Sequence, residues 1–86
     1  MIGNILTDKD LNSSEKVVLL YLFNKSNSTK IDITLNALEK ELGMSRPTIV
    51  NAIRKLESKQ LIKKENNFYN GIITANTYKV NLLKYK

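Results

Sequence analysis

The sequence predicts an α+β fold: three helices and a small antiparallel sheet, in the order helix, strand, helix, helix, strand, strand. Three observations predict it. Capped stretches with apolar residues at helical spacing fill most of the first two thirds of the chain. Two stretches with partial alternation follow, on either side of an Asn70-Gly71 pair. The composition, 42% hydrophobic and 26% charged with 3 glycines and 1 proline, is that of a folded chain and not of a disordered or collagenous one. Eighty-six residues have room for one small core, since a chain of this size buries only about 60 to 65% of its unfolded surface. The expectation is one domain over residues 1–86, with an arm at 1–11 and a tail at 82–86.

Met1 to Leu11 carries Ile2, Ile5, Leu6 and Leu11 without clean periodicity and reads as an arm or short strand lying on the body or on a second copy. Asn12 precedes Glu15 by three residues, an N-cap with its capping-box partner, so the first helix runs from Ser13 to about Lys25. It is apolar nearly all round from Val17 to Phe23, which makes it the central core element, or half core and half interface through Val17, Leu20 and Tyr21. Lys30 to Ile33 alternates over a short strand. Thr34 caps a second helix from Leu35 to Leu42, and Gly43 sits where a helix ends in a left-handed residue. Ser45 caps a third helix, Pro47 falls in its first turn, and Ile49, Ala52, Ile53 and Leu56 form one apolar stripe as far as Lys59. Leu61 to Glu65 and Asn76 to Asn81 read as strands joined by a long loop from Asn66 to Ala75, and Leu82 to Lys86 as a tail that covers the core edge or helps dimerise.

The sequence has no cysteine and no histidine, which excludes thiol nucleophiles, disulfides, imidazole bases and the usual zinc ligands. Gly3, Gly43 and Gly71 are too scattered for a phosphate loop. Asp8 with Asp10 and Glu39 with Glu41 are spaced by two and point apart on a helix, as solvated charges do. Tyr69 lacks the supporting histidines and arginines of a strand-cleaving nucleophile and reads as a wing aromatic. The expectation is a protein with no catalytic activity, no metal, no cofactor and no small-molecule ligand. The longest apolar run is Val17 to Phe23, far short of the 18 or more residues a membrane span needs, and no signal-like segment opens the chain. A cytoplasmic protein is expected. For the same reason the glycosylation-like triplets at Asn12, Asn24 and Asn27 are chance matches in an asparagine-rich chain.

Charge is unevenly placed. Residues 1–43 hold five lysines against six carboxylates, net −1, whereas residues 44–86 hold nine lysines and arginines against two, net +7. A polyanion is the simplest partner for the second half, the bland alternative being a solubilising surface. A short helix, the tight turn Leu42-Gly43-Met44-Ser45 and a capped third helix compose a helix-turn-helix, which presents the second of its helices to the DNA major groove. At about 100° per residue, Pro47, Asn51, Arg54 and Ser58 lie opposite the apolar stripe, flanked by Thr48, Val50 and Lys55. Asn pairs bidentately with adenine and Arg with guanine, so Asn51 and Arg54, with Thr48 a third, are the expected base readers. Arg46, Lys55, Lys59, Lys63, Lys64 and Lys79 are better placed on phosphates, as is the helix start at Ser45.

The stretch E-K-E-L-G-M-S-R-P-T-I-V-N-A-I-R-K-L-E-S-K-Q-L-I-K-K-E, followed by A-N-T-Y-K-V-N, resembles the winged helix-turn-helix fold. In particular it looks like the DNA-binding heads of phage and plasmid replication-initiation proteins and, more distantly, MarR-like regulators. The resemblance covers about Leu11 to Asn81. It implies that Ser45, Arg46, Thr48, Asn51, Arg54 and Lys55 face the major groove or its rim, and that Lys63 to Lys79 is a wing reaching backbone or minor groove. Two positions depart from the pattern. Glu39 stands where the family usually packs an alanine, so the helix crossing opens or the glutamate turns to solvent; Gln60 stands where a glycine usually ends the recognition helix. The expected wing tip, Asn67, Phe68, Tyr69 and Asn70 with Ile72 and Ile73, is uncharged and wedges into a groove, meets a partner protein or folds back on the core.

The function expected is sequence-specific binding of double-stranded DNA, as an origin-binding, accessory or transcriptional regulatory factor of a mobile element. A second copy, through the first helix or the terminal segments, and larger replication or DNA-processing machinery are the open partners. The rival from a different class is a protein-interaction module working through the first helix and the apolar wing.

Overall fold

The computed structural model describes residues 2–25, 30–69 and 72–82, with the side chains of Ile2, 66–69 and 72–75 left aside. Its elements are α1 (Ile2–Leu6), α2 (Ser13–Lys25), β1 (Lys30–Ile33), α3 (Leu35–Leu42), α4 (Arg46–Ser58), β2 (Ile62–Tyr69) and β3 (Ile72–Val80). The first segment lies on the body, as one expectation had it, but is not the short strand that was the alternative. It is a short helix whose Ile5 is fully buried and which packs on α2. A lone strand there leaves its backbone groups unpaired, whereas a helical turn bonds internally, as the Thr7 amide and hydroxyl do to the Gly3 carbonyl at 3.1 and 2.8 Å.

The capping box that opens α2 forms in both directions. Asn12 Oδ1 accepts from the Glu15 amide at 2.8 Å, and Glu15 Oε1 accepts from the Asn12 amide at 3.2 Å. Val18, Leu19 and Leu22 are buried, Leu20, Tyr21 and Phe23 pack partly buried against them, and Val17 stays 42% exposed. α2 is therefore the centre of the core, with one apolar edge open. It packs chiefly on α4, whose Ile49, Ala52, Ile53 and Leu56 are all buried as the stripe predicts.

The sheet is antiparallel in the order β1-β3-β2. One face carries Ile62, Tyr78 and Val80 into the core, and Leu82 is buried with them; residues 83–86 of the expected tail lie outside the described residues. β2 and β3 run to Tyr69 and from Ile72, so only residues 70–71 separate them. This corrects the long loop expected over Asn66 to Ala75. The register shifts between Asn66 and Phe68, where residue 67 of β2 faces residues 74 and 75 of β3, and such a bulge breaks the alternation by which a strand is read.

Candidate nucleic-acid interface

α3 and α4 are set against each other by three local devices. Thr34 Oγ1 accepts from the Ala37 amide at 3.1 Å and opens α3. Gly43 closes it at φ 63°, its amide bonded to the Glu39 carbonyl at 2.9 Å. Two residues further on the chain enters α4 with Pro47 in the first turn, where no amide donor is needed. Ser45 occupies the N-cap position but makes no side-chain bond to the helix amides, contrary to the expected cap. Pro47 removes one of the two amides a cap can reach, and the Ser45 hydroxyl lies 2.9 Å from Thr48 Oγ1 instead.

The outward face of α4 is as the helical period predicts. Pro47, Asn51, Arg54 and Ser58 are exposed along one line, with Lys55 exposed beside them and Thr48 and Val50 half-buried at its margins. Lys59 is half-buried at the helix end. The helix stops in a Schellman arrangement, with the Gln60 amide on the Glu57 carbonyl at 2.9 Å and the Leu61 amide on the Leu56 carbonyl at 3.0 Å. Gln60 takes φ 62°, the only positive value at a non-glycine among the described residues. Gln60 thus adopts the left-handed geometry that glycine usually takes at a helix end.

Glu39 stays half-buried and turns toward the start of α4, where its Oε2 accepts from Arg46 Nε at 3.1 Å and from Nη2 at 2.9 Å. Arg46 Nη2 also donates to Asn36 Oδ1. The arginine expected on phosphate is therefore tied to α3 by two side chains. Neither Asn36 nor Glu39 was among the expected site residues, because partners seven and ten positions away across a turn have no periodic signature.

The sheet divides the wing lysines. Lys63 is exposed and pairs in register with Lys79, whereas Lys64 is half-buried and pairs with Tyr78, whose side chain is in the core. Alternation therefore sends Lys63 and Lys64 to opposite faces. On the outer face Lys30 of β1 lines up with Lys79 and Lys63, three lysines in one row across three strands. The row behind it is Asp32, Thr77 and Glu65; Glu65 bridges Lys79 at 3.1 Å, and Thr77 donates to Asp32. Lys30 is a residue that sequence reading missed, since only strand register joins it to residues more than thirty positions away. Of the expected wing tip, Asn70 lies outside the described residues, and Asn67, Phe68 and Tyr69 are placed in β2 by backbone alone.

Beneath the face, Tyr78 is fully buried and its hydroxyl accepts from Asn76 Nδ2 at 3.1 Å. Burial pushes its pKa above the ordinary value; the Asn76 bond works against that rise and the Glu57 charge adds to it. Among the described residues no group of acidic side chains is placed to hold a metal ion, and no helix is long and apolar enough to cross a membrane.

A family model described as a helix-turn-helix domain matches residues 9–62. Comparison with curated proteins gives no match. Among solved structures, a possible transcriptional regulator from Methanosarcina mazei Go1 superposes with a TM-score of 0.70 at 19% identity, over 98% of this chain and 68% of that one. At that identity the likeness speaks for the fold, a winged helix-turn-helix of four helices and a three-stranded sheet.

Proposed function

The chain belongs to the helix-turn-helix domain family, and from that premise we propose that it binds double-stranded DNA sequence-specifically, with α4 in the major groove. One observation carries the reading: the buried stripe of α4 leaves Asn51 and Arg54 on the opposite, exposed line, where a groove-seated helix presents side chains to base edges. Thr48 reads from the margin. Ser45, Lys55 and Lys59 contact phosphates around the helix, and Lys63 and Lys79 contact them from the outer face of the wing, which Lys64 does not share, fixing position without specifying sequence. Arg46 enters this scheme only together with Glu39. No catalytic step is assigned. The resemblance to the heads of replication-initiation proteins supports a role at an origin or in regulation of a mobile element.

Selection of bound duplexes from a randomised pool near physiological salt tests the reading. A recovered motif is the expected result, with an inverted repeat for a two-fold dimer and a single half-site for a monomer. Asn51→Ala and Arg54→Ala should each cost about 1 to 3 kcal/mol and relax preference at one base position. With about four to six phosphates neutralised, log affinity should fall with log salt at a slope of roughly −4 to −5. Recovery of no motif, with weak and shallow salt dependence, would transfer the assignment to the interaction-module reading. The observation favouring that rival is the exposure of two large apolar side chains, Leu6 at 52% and Val17 at 42%.

A further inference from the structure

The start of a recognition helix is where an arginine ordinarily adds to attraction for DNA, yet Arg46 is already matched. Its Nε and Nη2 both lie on Glu39 Oε2, and Nη2 has a further acceptor in Asn36. The carboxylate is the less exposed partner, 29% against 49% for the arginine side chain, so it is anchored in α3 and the guanidinium comes to it. A phosphate that recruits Nε or Nη2 must displace one of these acceptors, and one that approaches Nη1 meets a guanidinium whose charge the Glu39 carboxylate already offsets. Non-specific binding is driven by counterion release and scales with the number of phosphates neutralised, so a pair of zero net charge contributes nothing to it.

We propose that Glu39 is a positioning residue for DNA recognition. It holds Arg46 as an internal, charge-neutral pair, lowers the general affinity of the helix-turn-helix for polyanions, and leaves attraction to Lys55, Lys59 and the wing. The proposal rests on the assignment of α4 as the DNA-binding face. It goes beyond that assignment by removing Arg46 from the phosphate contacts and giving a role to a glutamate outside the recognition helix.

The test is the salt dependence of binding to a random-sequence duplex between 50 and 200 mM salt. Glu39→Gln keeps the shape and an acceptor oxygen but removes the charge. It should bind more tightly at low salt and steepen the slope by about 0.9, an additional fall of about 3.5-fold across that interval. Glu39→Asp should retain the parent slope, and the double variant Glu39→Gln with Arg46→Ala should return to it, because the pair it deletes is neutral. A merely structural role for Glu39 moves none of these slopes once folding is verified by circular dichroism. An unchanged slope in Glu39→Gln would overturn the proposal, showing that Arg46 leaves Glu39 for a phosphate in the complex. Lys55→Ala, which removes an exposed phosphate contact of α4, separates the two layers on the same duplex. If Lys55→Ala flattens the slope while Glu39→Gln does nothing, the masking fails alone; if neither has an effect, the DNA-binding face itself has been misassigned.

Discussion

Gln60→Gly should stabilise this protein. Gln60 ends α4 at φ 62°, a left-handed conformation that costs a residue with a Cβ roughly 1 to 2 kcal/mol relative to its preferred regions. Both Schellman bonds are made by backbone, Gln60 to Glu57 and Leu61 to Leu56, and so survive the substitution, and the Gln60 side chain is exposed. Against the relief stands the greater unfolded-state entropy of glycine, about 0.5 to 1 kcal/mol. The net gain is about 0.5 to 1 kcal/mol, which for a domain of this size raises the thermal midpoint by about 2 to 8 °C. The assay is thermal unfolding followed by circular dichroism, with Gln60→Ala as the control that keeps the strain. The mirror experiment is Gly43→Ala, at φ 63° with open space around the added Cβ, which should lose about 1 kcal/mol from strain alone. A midpoint in Gln60→Gly at or below that of the parent would refute the assignment of strain to this position.

Asn12→Ala should lower stability by about 1 kcal/mol, read from denaturant midpoints, because it removes the acceptor for the Glu15 amide; Asn12→Ser should recover most of the loss. Tyr78→Phe strips the buried Asn76 amide of its partner and should cost about 1 to 2 kcal/mol, an effect absent if water reaches that amide. The raised folded-state pKa of Tyr78 means that stability is full below the unfolded value near 10 and falls as pH rises through the folded value. Tyr21 is shifted in the same direction, by burial and then by Glu41, so Tyr78→Phe should shrink the alkaline loss of stability without abolishing it. Replacing Lys63 and Lys64 together by alanine should flatten the salt slope by about 0.9 and not twice that, because the two side chains leave β2 on opposite faces; a change near 1.8 would place both on phosphates.

Features encoded within one turn or one helical period were legible in the chain. The Asn12 and Thr34 caps, the left-handed Gly43, Pro47 in a first turn and the stripe from Ile49 to Leu56 each depend on residues no more than seven positions apart. Local chemistry dictates such features, and the outward line of Asn51 and Arg54 follows from the stripe by helical geometry. The helical form of Ile2–Leu6 was not legible, because its Ile5 is ordered by burial against α2 and not by a pattern of its own. Nor was the length of the wing strands, since β2 carries two asparagines that make it poor strand by composition and β3 carries the extra residue of the register shift.

For the candidate site the division is the same. The sequence by itself determined which side chains α4 turns outward and that the positive charge gathers in the second half of the chain. Only the tertiary structure decided which of those charges are already matched. Glu39 reaches Arg46 across the turn between two helices, Glu65 reaches Lys79 across two strands, and Lys30 joins the lysine row through strand register. Each of these depends on distances between elements, which are set by how the core packs and which local periodicity does not contain.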